Sequence, residues 1–199
     1  VWANLTPIYN KHTTLKYNKY TTMANHCFNF ANIYGSKDAL DLLEKRIKDA
    51  KKDNNHLWYE TFYIALGTEC PKNTDVYDDF GSKWFNCDVI RDKYTEMTIS
   101  GDSAWSPVSE FYRKISEVYN LEIFSTFEEC GNDFGGWYDC KNGEVTKDVM
   151  MTYGQYRYTE DPYEYTTYLL EDIENGDLEE VDEQLLNIMT DEHKKLLKL

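Results

Sequence analysis

The side chains best suited to chemistry are five cysteines, Cys27, Cys70, Cys87, Cys130 and Cys140, with His26 beside the first of them. Thiolates and imidazole could hold zinc, but structural zinc sites bring their ligands in close pairs, and no Cys-x-x-Cys occurs. Two groups of carboxylates follow: Asp102, near Trp105, and Glu128-Glu129, just before Gly131, Gly135 and Gly136. Acid–base catalysis by two carboxyls needs surroundings that separate their pKa values, and nothing in the flanking sequence supplies them. The glycines resemble a phosphate loop only superficially, because no lysine and no helix start follow them and acids surround them. A bulge in a strand accounts for them instead. Trp84, Trp105 and Trp137 could line a ligand pocket, since an indole offers apolar area and one donor. The plainer reading of Trp84 and Trp105 is packing in the core or at a helix start. No catalytic residue, metal ligand or cofactor is therefore expected.

Charge is the stronger signal. The 199 residues carry 36 acidic and 21 basic groups, a net charge of −15. Such a field repels phosphate backbones, so direct nucleic-acid binding is not expected. Eleven acids and no Lys or Arg fall between Glu160 and Glu183. Within that stretch Glu171, Asp172, Glu174, Glu179, Glu180, Asp182 and Glu183 are the candidate contacts for a protein with a basic surface. An acidic surface also serves plain solubility. An odd number of cysteines outside any regular framework fits a reducing, cytoplasmic compartment. No apolar run is long enough to span a bilayer, and no membrane role is expected.

The elements that must position these groups are legible in part. With 41% hydrophobic and 16% aromatic residues the chain folds, and its length suits one core with an appendage. Residues 1–22 hold three lysines and no acid, begin with Val1 and show no sustained period, so they read as an arm. We expect Met23 to be the natural start. Residues 23–199 hold 18 basic and all 36 acidic groups, a balance of −18.

Cys27–Tyr34 alternates Phe28, Phe30 and other apolar groups with Asn29 and Asn32, which predicts a partly buried strand. Ser36 then caps a helix whose apolar face is Leu40, Leu43 and Ile47, running to about Lys52. Residues 56–67 fit helix and strand equally, and residues 70–80 have loop composition. Strands are predicted near Lys83–Ile90 and Tyr94–Ser100, joined at Arg91–Lys93. Ser106 as cap and Pro107 at the first turn predict a second helix with Val108, Phe111, Tyr112, Ile115, Val118 and Tyr119 on one face. A strand from Leu121 to Phe127 and a tight Asn142-Gly143 turn follow. The order gives an α+β fold, a ferredoxin-like split βαβ antiparallel sheet with two helices on one face, over residues 23–155. Residues 156–199 read as an acidic helical C-terminal extension, with Tyr168, Leu169, Ile173, Leu185, Leu186, Ile188 and Met189 at amphipathic spacing.

Four segments resemble the YubB-type ferredoxin-like domain of phage, plasmid and other mobile-element proteins: Met23-Ala24-Asn25-His26-Cys27, Phe80-Gly81-Ser82-Lys83-Trp84, Ala104-Trp105-Ser106-Pro107, and Glu129 to Gly136 with Gly131, Phe134 and Gly136. They span roughly residues 23–150. Two departures stand out. Val108 occupies the place of a second proline, and the loop after the first helix is short. The resemblance implies the fold and a mobile-element setting, and it implies no active site. On that basis the expected role is non-enzymatic: a phage or mobile-element protein that binds a host or phage protein with a basic surface in the host cytoplasm, in one form as counter-defence. A small-ligand sensor or enzyme with a Trp-lined pocket and a virion or assembly component are the alternatives. The sequence leaves the oligomeric state open.

Overall fold

The computed structural model describes residues 26–51, 57–71, 79–178 and 181–198. The arm of residues 1–22 lies outside them. Strand β1 (His26–Tyr34) leads to helix α1 (Lys37–Ala50), a two-residue β2 (Leu57–Trp58) and α2 (Tyr59–Leu66). Strands β3 (Trp84–Lys93) and β4 (Glu96–Ala104) form a hairpin, followed by α3 (Ser109–Tyr119) and β5 (Glu122–Glu129). Then come β6 (Phe134–Lys141), β7 (Glu144–Met151) and four helices: α4 (Tyr153–Glu160), α5 (Pro162–Asn175), α6 (Glu183–Ile188) and α7 (Asp191–Leu196).

All the strands join one sheet in the order β2-β3-β4-β1-β5-β6-β7. Its centre, β3-β4-β1-β5, is the split βαβ arrangement: β1 lies antiparallel between β4 and β5, and β4 lies antiparallel between β1 and β3. Two crossovers, one through α1 and one through α3, place their helices on the same face, with α2 packed between them. The fold is α+β and ferredoxin-like, extended by β6, β7 and the C-terminal helices.

Alternation along each strand separates the two faces. The helix-covered side receives Cys27, Ala31 and Ile33 from β1, Phe85 and Cys87 from β3, Met97 and Ile99 from β4, Ile123 and Phe127 from β5, and Tyr138 and Cys140 from β6. Leu40, Leu43 and Ile47 of α1 and Phe111, Tyr112 and Ile115 of α3 close over them. An aromatic group made of Phe62, Phe80, Phe85, Phe111 and Tyr112 fills one end. A second, smaller core ties the C-terminal helices together through Tyr158, Leu169, Val181, Leu185, Met189 and Leu197.

Several sequence expectations need correction. Phe28 and Phe30 do not lead the buried face of β1; Asn29 does, because its amide makes bonds that a buried polar group requires. Its Nδ2 donates to the Cys27 carbonyl and to Ser103 Oγ, both at 2.8 Å. Its Oδ1 accepts from the Val108 amide at 3.1 Å. That contact also revises the start of α3, whose N-cap is Val108 without a side-chain cap, its own amide anchored by Asn29 from a distant strand. Ser106 donates its hydroxyl to the Gly81 carbonyl instead.

The glycines do not mark a bulge before Trp137, since Gly135 and Gly136 pair regularly with β5 and β7. The irregularity sits at Asp139–Cys140. A Cβ on Gly135 would overlap the Tyr156 ring, and one on Gly136 would overlap the Val149 carbonyl, so close packing demands both glycines. The β3–β4 turn falls at Tyr94-Thr95, later than expected. The tight turn at Asn142-Gly143 is present, with φ of 52° and 83°.

Candidate functional site

The C-terminal helices define the site by what they cover. Thr152 and Gln155 form a capping box that starts α4 directly after β7. That start lays α4 across the sheet face opposite α1 and α3. Tyr156 packs on Gly135 and on Trp137, at 5.2 Å between rings. Arg157 reaches Glu128 at 3.5 Å, and Glu160 accepts from Trp137 Nε1 at 3.0 Å. The β5–β6 side of this face is therefore roofed. Among the described residues, no element covers its β3-β4-β1 side or the Phe124 end of β5.

The strand registers map the uncovered part. Trp84, Ala104 and His26 form a row at one end. The next rows are Asn86, Asp102 and Phe28, then Asp88, Ser100 and Phe30, then Ile90, Thr98, Asn32 and Phe124, and last Glu96, Tyr34 and Glu122. Phe28 is 38% exposed, Phe124 45% and Ile90 52%. The Tyr34 and Phe124 rings meet edge to face at 5.9 Å, as do His26 and Trp84 at 5.1 Å. Aromatic groups and carboxylates thus interleave on one open surface.

This surface takes in part of what the sequence singled out. Trp84 and Trp105 lie at the same end of it, because Trp105 directly follows β4. Trp105 is not a core residue: it is 63% exposed and its φ is +72°. A bulky residue in the left-handed region is strained, and the neighbouring chain holds it there. Ser82 accepts from the Ala104 amide at 3.0 Å and Ser106 binds Gly81. Trp137 is on the same face but beyond β1 and β5, under Tyr156 and with Lys147 at 4.3 Å from its ring centre. The three indoles do not share a pocket. An open groove of about 340 Å³ is lined by Met151, Gln155, Tyr158, Thr159, Pro162 and Ile188, far from Trp84 and Trp105.

The carboxylates divide by role. Asp102 and Glu128 flank Phe28 from opposite sides, two strand spacings apart, or roughly 10 Å. His26 stands 3.9 Å from Asp102. Burial raises the Glu128 pKa above the usual carboxylate value, opposed by Arg157 and reinforced by Glu160. Glu129 holds the β5–β6 turn by accepting from the Gly131 and Asn132 amides at 2.9 and 2.7 Å. In the extension, Glu171, Glu174 and Glu183 are exposed, whereas Asp182 caps α6 through the Leu185 amide at 3.2 Å. Asp172 is half-buried, and Glu179 and Glu180 lie outside the described residues.

The thiols of Cys27, Cys87 and Cys140 are buried in the core, which pushes their pKa values up to about 12, 12 and 11. All five cysteines are unbridged, and no cluster of His, Cys, Asp and Glu able to hold a metal ion occurs among the described residues.

The exposed stripe of Phe28, Phe30, Tyr34 and Phe124 is what sequence reading missed. Its signal was present in Asn29, since a buried asparagine on the opposite phase of β1 turns both phenylalanines outward.

Residues 80–171 match the family model described as the ferredoxin-like domain in Api92-like protein. The match begins before β3 and ends within α5, so it includes the roofing helix α4. A crystal structure of protein api92 from Yersinia pseudotuberculosis is similar at 9% sequence identity and a TM-score of 0.42, covering 66% of this chain and 98% of that chain. No curated protein matches. No helix among the described residues is long and apolar enough to cross a membrane.

Proposed function

We propose that this protein, with its ferredoxin-like domain similar to that of Api92-like proteins, acts by binding another protein that presents a basic surface. The observation that carries this reading is the placement of charge. The stretch from Glu160 to Glu183 has eleven acids and no base, and the fold leaves Glu160, Asp161, Glu164, Glu171, Glu174, Asp177 and Glu183 exposed. Complementary fields raise encounter rates and orient the partners. In the mobile-element setting that the sequence resembles, the partner is a host or phage protein. One form of this role is counter-defence in the host cytoplasm, with the acidic surface occupying the nucleic-acid groove of a nuclease or sensor.

Affinity capture from a bacterial host lysate tests the reading. Basic proteins should be retained at about 0.05 M salt and released by about 0.5 M, where screening shortens to a few ångströms. A full-length variant with Glu171→Lys, Glu174→Lys and Glu183→Lys should retain fewer of them. Retention of acidic proteins, or of the same set whatever the salt, would contradict it.

A further inference from the structure

We propose that the uncovered β3-β4-β1 half of the sheet face receives the partner, and that the segment received is extended and carries Arg or Lys among aromatic or apolar side chains. This deepens the reading above and rests on it.

The apolar content of the face comes first. Phe28, Phe30, Tyr34, Phe124 and Ile90 stand on one side of the β3-β4-β1-β5 sheet, Ile90 just over half exposed, Phe28, Tyr34 and Phe124 between about a third and a half, and Phe30 partly buried. Contiguous apolar patches of this kind on a folded surface mark places of contact. Trp105 adds an exposed indole at the His26 end, held there by a strained backbone. Aromatic anchors of this type dominate binding energy where interfaces have been dissected.

The acidic content then selects the occupant. Asp88 and Asp102 alternate with the rings, Asp88 with 91% of its side chain exposed, and Glu96 and Glu122 flank Tyr34. Glu96 and Glu122 are already paired with Lys93 at 2.7 Å and Lys141 at 3.3 Å, so the carboxylates left to an incoming cation are Asp102, 3.9 Å from His26, and Asp88, 3.8 Å from Lys51. A guanidinium or ammonium placed here meets both carboxylates and ring faces, which is the geometry that ion pairing and cation–π attraction reward. Single-stranded nucleic acid would stack on the same rings, but its phosphates would face Asp88 and Asp102. A second copy would set two acidic bodies, each at −18, against one another. Phe28 to Tyr34 spans six residue steps, roughly 20 Å, room for an extended segment of about six residues beside the wall that α4 forms.

The probe is a fluorescein-labelled eight-residue peptide of alternating Arg and Tyr, titrated onto the full chain and followed by anisotropy. Saturable binding is expected, with affinity lowered about tenfold or more by Phe124→Ser and by Asp102→Lys, and lowered by a smaller factor by Glu171→Lys with Glu174→Lys, which weaken the attracting field without touching the face. Loss with the helix variants and none with the face variants would overturn the assignment of the face and leave the basic-partner reading standing. No binding of the peptide at all would overturn the face assignment, while salt-sensitive capture of basic proteins would leave the basic-partner reading standing. Stronger binding of oligo-uridine than of the peptide would assign the face to nucleic acid instead. A Phe124-dependent dimer in sedimentation would assign it to a second copy. Peptide binding that appears only after Lys11→Glu, Lys16→Glu and Lys19→Glu would assign it to the chain's own first residues. Each of these last three outcomes overturns the proposal.

Discussion

Tyr112 brings a hydroxyl into the middle of the core, fully enclosed and without a hydrogen-bond partner among the described residues. Burial drives its pKa well above the ordinary tyrosine value. An enclosed hydroxyl that exchanges water for nothing costs stability. Tyr112→Phe keeps the ring contacts with Phe85 and Phe111 and should stabilise the fold by about 1 kcal/mol, read from the urea midpoint.

Glu128 poses the opposite problem, a charge held in a desolvated position beneath α4 with Arg157 compensating only in part. Its folded pKa lies above the unfolded one, so the folded state holds this proton to higher pH. The stability this proton contributes is fully present below the unfolded pKa and is lost as pH rises through the folded pKa. Glu128→Gln removes that dependence. At pH 7 the variant should melt above the parent, and the gap should close as pH is lowered towards the unfolded carboxylate range. A gap that widens on acidification would contradict the assignment.

Among the elements, α1 and α3 were legible because their apolar residues recur at helical spacing and because α1 carries its own cap, Ser36, which accepts from the Ala39 amide at 3.2 Å. The hairpin at Asn142-Gly143 was legible for the same local reason. What local sequence could not supply was tertiary. The anchor at the start of α3 comes from Asn29, 79 positions from Val108, and the pairing of Gly135 with Tyr156 depends on where α4 lands. The open face was hidden because β1 offers aromatic side chains on one phase and a mixture of Cys, Asn, Ala and Ile on the other, and hydrophobicity alone ranks the wrong phase as buried. Asn29→Ala tests that account. It leaves the Val108 amide without its acceptor and takes one donor from Ser103, whose hydroxyl still donates to the Ser106 carbonyl at 2.6 Å, and should cost on the order of 2 kcal/mol, with hydrogen exchange speeding first in the opening turn of α3. A near-neutral effect would show that the Asn29 anchor is dispensable.

At the scale of the molecule, one face of the sheet is spent on the core and the other is divided between a helix roof and an open aromatic, acidic surface. The proposed role draws on the net charge of −15, whose field repels phosphates and like-charged copies and attracts basic surfaces. The charge was fully legible in the sequence, whereas the face proposed to use it emerged only with the strand registers. The most direct measurement is amide chemical-shift mapping of the labelled full chain with the alternating Arg-Tyr peptide. The account predicts shifts along Phe28–Tyr34 of β1, Met97–Asp102 of β4 and the Trp105 indole. Shifts confined to α5 and α6, with β1 and β4 silent at saturation, would contradict it.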